Sequence, residues 1–168
     1  MKKQLHHEIQ CLTVNSSFIG LWAVLAAFGG CLMWVHGSMA PWIFRTHRMP
    51  AGTPAFTVFF LLWLLLYGLQ GTCMGVTVLY VKRQYHLSIQ CLFGNVLIYI
   101  LLLAWYPLFF SVLHCIMAVI SLGCSVILQT FFLKKYLHYS KVSFFLCFLT
   151  ILLEIYFLYV TIAFELAN

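Results

Sequence analysis

Hydrophobic residues fall in long unbroken runs, and the polar and basic residues are confined to short patches between them. One run covers 18–35, a second 55–81, and a last one 142–164, interrupted only by Glu154. A spanning helix takes about 20 apolar residues rising about 1.5 Å each, so each run predicts one span. Between the second and last runs, residues 87–133 contain no Lys, Arg, Asp or Glu. As a single helix that stretch would be about 70 Å long, against a hydrocarbon core of about 30 Å, so it must fold back. Pro107, followed by Ser111 and His114, is the natural place, because an interior proline costs a helix about 3 kcal/mol. The pattern predicts an all-α, integral-membrane bundle of five transmembrane helices, a single domain over 1–168. The expected helices are 16–36, 55–81, 87–106, 110–133 and 142–164, with one long loop at 37–54.

Composition and charge sharpen this reading. The chain is 64% hydrophobic and 7% charged, where a soluble domain carries about a quarter charged residues. Its basic residues form short patches rather than a stripe along one face, which argues against nucleic acid and for membrane topology. With five spans, Lys2, Lys3, Lys82, Arg83, Lys134, Lys135 and Lys141 fall on one side, and only Arg45 and Arg48 on the other. The bias of Lys and Arg toward the inner side then predicts the N-terminus inside, the C-terminus outside and the 37–54 loop facing outward. The first 17 residues are mostly polar and the first apolar run is long enough to span, so no cleavable leader is expected. The seven cysteines are scattered without a C-x-x-C pair. They read as small apolar residues rather than as a disulfide framework or metal site.

Aromatic residues supply the candidate chemistry. Phe59, Trp63, Tyr67, Gly71 and Gly75 recur every fourth residue in the second span, a stripe that winds slowly around the helix. Helix packing alone would account for the glycines, a small-xxx-small pair. Trp63 and Tyr67 carry polar groups that need partners away from lipid, and an inward cavity would supply them. The 37–54 loop holds Trp42, Pro50 and Pro54, which read either as an interfacial belt or as an ordered lid over such a cavity. Glu154 is the one acid deep in an expected span. It is either a proton-coupled or ligand-contacting group, or a protonated carboxyl hydrogen-bonded to a neighbouring helix. His36 and His114 lie at helix ends, where interfacial hydrogen bonding is a simpler reading than axial ligation of haem iron. No catalytic triad, phosphate loop or zinc motif is present, so neither a catalytic residue nor a metal ligand is assigned.

The pattern P-x3-P-x4-F-x3-W-x3-Y-x3-G from Pro50 to Gly71, and W-x-P-x-F-F at Trp105, Pro107, Phe109 and Phe110, resemble the TspO/MBR family (translocator protein, tryptophan-rich sensory protein). His36-Gly37 followed by Trp42 is similar to the start of that family's first loop. The resemblance covers about residues 30 to 125, and it implies five transmembrane helices and a pocket beneath the first loop. The implied ligands are porphyrins and related hydrophobic molecules, with haem or porphyrin as ligand rather than obligatory cofactor. Carried over by position, the pocket would include Phe59, Leu62, Trp63, Trp105, Met117, Ile120 and Cys124. The last three also have i, i+3, i+7 spacing, which places them on one helix face. Leu102 stands where the family usually has Asn, and Met117 where a tryptophan is common. Tyr156, Tyr159 and Glu154 occupy a fifth span without the usual tryptophan, and no sterol-recognition pattern follows Lys141. The resemblance implies binding for sensing, transport or disposal, with light-dependent porphyrin breakdown or a mainly structural role as alternatives. It further implies a bacterial cytoplasmic or mitochondrial outer membrane, and a homodimer paired through Gly94 or the Gly71/Gly75 face.

Overall fold

A computed structural model describes Gly29 and residues 40–81, 85–110, 114–139 and 141–168. The first expected span, His36 and the N-terminal lysines lie outside these residues, apart from Gly29. From residue 40 onward the described residues form, in order, the helices α1 (Ala40–Thr46), α2 (Phe56–Val81), α3 (Tyr85–Phe110), α4 (Cys115–Tyr139) and α5 (Lys141–Ala167). Four of them, α2 to α5, are long and apolar enough to cross a membrane. This is a multi-pass helical membrane protein. At 25 to 27 residues each long helix measures about 40 Å, so it clears the hydrocarbon core and reaches the headgroup zones.

The four spans form a ring in which α2 packs on α3 and α5, and α4 packs on the same two. Lys134, Lys135 and Lys141 gather at one end, where α4 finishes and α5 begins; α1 lies at the opposite end. Close approach between helices relies on missing side chains. A Cβ on Gly94 of α3 would run into the Phe132 ring of α4, and one on Gly29 would lie 2.9 Å from Tyr99 Oη. Gly71 and Gly75 are buried within the chain. The glycine faces suggested above for pairing two copies are therefore already covered inside one.

The helix break falls later than the sequence suggested. Pro107 lies inside α3, which continues to Phe110, and the His114 amide closes the end by donating to Leu108 O at 2.9 Å. Pro107 sits in the last turn, where its fixed φ suits a helix and only one backbone bond is forfeited. Carrying the helix past it drives Phe109 and Phe110 into the core, both essentially inaccessible. That burial offsets the cost.

Candidate functional site

The interior divides into two zones along the bundle axis. Beneath α1 it is almost wholly aromatic. Trp63 stacks on Tyr106 at 4.4 Å between ring centroids and meets Tyr67 edge-on at 4.5 Å. Trp105 lies 6.4 Å from Trp63, stacks on Phe109 at 5.5 Å and touches Phe157 at 5.3 Å. Phe59 joins them through an edge contact with Phe157 at 5.1 Å. Such pairs contribute about 0.5–1.5 kcal/mol each beyond the area they bury. The compartment is built by ring-to-ring contact from α2, α3 and α5.

Its polar atoms are unevenly served. Trp105 Nε1 donates to Thr161 Oγ1 at 3.1 Å, and Tyr67 Oη donates to the Leu102 carbonyl at 2.6 Å. Trp63 Nε1 and Tyr106 Oη are buried without a hydrogen-bond partner among the described residues. A buried N–H or O–H left unpaired costs about 1–3 kcal/mol, so these two are places where an acceptor brought by a ligand would be stabilising.

The segment before α2 covers this compartment. Ile43 is buried and Phe44 sits among Phe56, Phe59 and Phe110, with centroids 5.3 to 6.3 Å apart. Pro50 opens a turn in which Thr53 N donates to Pro50 O at 3.1 Å, with Gly52 at φ 85°. A positive φ at the third position is the mark of a type II turn and favours glycine there. The turn presents its carbonyls to α5: Tyr159 Oη donates to Ala51 O at 2.9 Å and Tyr156 Oη to Gly52 O at 3.3 Å. Asn168 completes the strap, accepting from Arg48 N and donating to Arg48 O, each at 3.2 Å. Pro54 stands just ahead of α2, whose first turn is closed by Phe59 N donating to Ala55 O.

Toward the other end the interior turns polar. Asn95 is a hub: it accepts from Gln70 Nε2 at 3.2 Å and donates to Thr77 Oγ1 at 3.3 Å and Tyr136 Oη at 2.6 Å. These bonds tie α3 to α2 and α4. Nearer the middle, Gln129 of α4 donates through Nε2 to Glu154 Oε1 of α5. Thr150 Oγ1 lies 2.7 Å from both Gln129 Oε1 and Cys147 O, and its single proton serves one at a time.

Several predicted site residues meet here and others do not. Phe59, Trp63, Tyr67 and Trp105 converge in the aromatic zone, and Leu62 packs half-buried at its edge. Met117, Ile120 and Cys124 do not join them. They lie on the outward face of α4, with Met117 56% and Ile120 53% exposed. Their shared face was correctly read from spacing, but its direction was inverted. Lipid-facing and core-facing positions are equally apolar in a membrane, so hydrophobicity cannot orient a helix. The usable signal was polar: Ser121, Ser125 and Gln129 recur every fourth residue and mark the buried face. Trp42 is also misplaced as a closing residue. It is 50% exposed, edge-on to His47, and its neighbours Ile43 and Phe44 point inward instead. A seven-residue helix turns side chains about 100° per residue, and it stands where the sequence predicts an ordered loop without naming a helix.

Among the described residues no group of three or more His, Cys, Asp or Glu side chains gathers as a metal would need. His114 is exposed at the start of α4. No protein-family model and no curated protein matches this chain.

Proposed function

We propose that this protein is a membrane ligand-binding protein of the kind the TspO/MBR resemblance implies. Its ligand is a flat, largely apolar conjugated molecule such as a tetrapyrrole, received in the aromatic zone beneath α1. The observation that carries this reading is the pairing of Trp63 and Trp105 indoles, both buried, beside two hydrogen-bond donors that have no partner among the described residues. Conjugated rings stack on aromatic faces, and an apolar pocket with a few unspent polar groups is the usual form of a small-molecule site.

Entry in this scheme begins at the strap. The bonds from Tyr156, Tyr159 and Asn168 lie at exposed positions, where each is weakly held. Their release lets Ile43 and Phe44 withdraw, and the ligand then takes over ring contacts that Phe44 and Phe59 make to one another in the closed form. Trp63 Nε1 and Tyr106 Oη would hydrogen-bond a carboxylate or carbonyl on the ligand's edge. Leu62 walls the site, while Pro50 and Pro54 hold the strap's shape. The loop end faces away from Lys134, Lys135 and Lys141, so by the positive-inside rule the ligand arrives from outside.

Protoporphyrin IX titrated into the detergent-solubilised protein, followed by tryptophan quenching, tests this. Replacing both indoles (Trp63→Ala with Trp105→Ala) removes about 2 kcal/mol of stacking and weakens binding about 30-fold. Unchanged affinity in the double variant refutes the site. Illuminating the complex separates binding from breakdown: a stable porphyrin spectrum is expected, and a bilin-like product would favour the enzymatic alternative. Absence of saturable binding in the parent protein would leave a structural role.

A further inference from the structure

We infer that Glu154, Gln129, Ser125 and Thr150 form a proton-binding site in the middle of the bundle, served from the Lys134/Lys141 end of the protein. The assignment does not depend on the aromatic zone binding anything.

Glu154 is 0% exposed, and among the described residues no basic side chain pairs with it. One oxygen, Oε1, accepts from Gln129; the other, Oε2, has no partner among the described residues. Ser125 of α4 stands beside the carboxyl, and its Oγ is likewise buried and has no hydrogen-bond partner among the described residues. A bare carboxylate in this position would be an isolated charge in a water-poor interior, which is costly. One proton resolves both orphans. Bound on Oε2, it converts that oxygen to a donor and gives Ser125 Oγ a hydrogen to accept. The Ser125 hydroxyl hydrogen then turns back to a carbonyl of its own helix. Gln129 keeps its bond to Oε1, and its own carbonyl stays matched to Thr150.

Among the described residues the polar route to this site is one-sided. On α5 the buried residues below Glu154 are Ile151, Thr150, Cys147 and Ser143, and the last three stand at steps of four, three and four from Glu154. Thr150, Cys147 and Ser143 lead toward Lys141, with Ile151 packed beside Cys147. Cys147 Sγ lies 3.8 Å from Gln129 Oε1, and Cys73 Sγ of α2 reaches the Ser143 carbonyl at 3.9 Å. Above Glu154 the same face continues with Phe157, Thr161 and Phe164; Thr161 is occupied by Trp105 and the phenyl rings close the remainder. Among the described residues, the titratable groups that sense Glu154 are Tyr67 of α2 and Cys147 of α5, with Cys73 next to Cys147. None of these is a cation, so in this proposal the proton is the charge that balances the site.

Infrared difference spectra of the full chain in lipid nanodiscs test this at neutral pH. The protonated-carboxyl carbonyl band is expected in the parent protein and lost in Glu154→Gln. In Ser125→Ala it persists but moves up in frequency, because the hydrogen-bond acceptor is gone; this variant keeps the test valid should Glu154→Gln fold poorly. Exchange of the band into D2O should slow several-fold in Thr150→Val and be no slower in Phe164→Leu. A band absent from the parent, surviving Glu154→Gln, or appearing only when sodium is replaced by choline overturns the assignment, the last in favour of a metal cation. Slowing by Phe164→Leu rather than Thr150→Val overturns the route.

Discussion

Removing two hydroxyl groups from α5 should unlatch the cover of the aromatic zone without disturbing the helices. Tyr156→Phe and Tyr159→Phe keep both rings, including the Tyr156–Phe157 contact at 5.5 Å, and delete only the bonds to Gly52 O and Ala51 O. Each is a neutral hydrogen bond at an exposed site, worth about 0.5–1 kcal/mol net, so the pair contributes about 1–2 kcal/mol. That difference raises the population of the detached strap about 5- to 30-fold. Amide hydrogen exchange reads this directly, because the Arg48 and Thr53 amides are bonded within the strap and exchange only when it opens. Peptides covering 47–54 should exchange faster by that factor in nanodiscs, while peptides from the middle of α2 and α5 stay unchanged. Equal exchange in parent and double variant would show that Ile43 and Phe44, rather than the tyrosines, hold the cover. The latching argument would then fail.

Three further outcomes follow from the packing. Gly94→Ala forces the Phe132 ring to move and should destabilise the protein by about 1–3 kcal/mol as overpacking does; an unchanged thermal midpoint in detergent would contradict the α3–α4 contact. Gly52→Ala places a side chain at φ 85°, costing about 1–2 kcal/mol, and should speed exchange of the 50–53 turn; no change would mean that the turn is not held in this form. Met117→Ala combined with Ile120→Ala alters an outward face and should leave porphyrin affinity within about twofold, a shift under about 0.5 kcal/mol. A tenfold loss would turn α4 around and restore the sequence-based orientation.

The positions of the four described spans were legible because water exclusion writes itself into long apolar runs. The boundaries of α2 and α5 differ from expectation by at most a few residues. The inward direction of α2 was legible for a second reason: Trp63 and Tyr67 are apolar bodies with polar tips, and lipid cannot satisfy the tips. The direction of α4 was illegible by the same logic applied to Met117 and Ile120, which have no polar atoms to betray where they face. Pro107 misled because a proline's cost depends on whether it stands in a helix interior or its last turn, and only the packing of Phe109 and Phe110 decides that. Asn95, Gln70 and Gln129 were overlooked altogether. In a chain so apolar, buried amides are the residues that fix rotation and register between helices, since each needs a partner on a neighbouring helix.

The central claim, that the interior beneath α1 receives a flat conjugated ligand, is tested most directly by leaving only its two indoles. In a variant carrying Trp22→Phe, Trp34→Phe and Trp42→Phe, all remaining tryptophan emission comes from Trp63 and Trp105. Titration with protoporphyrin IX should quench that emission saturably and nearly completely, with the affinity of the parent protein. Quenching that is absent, or that rises linearly with added porphyrin without saturating, would contradict the account.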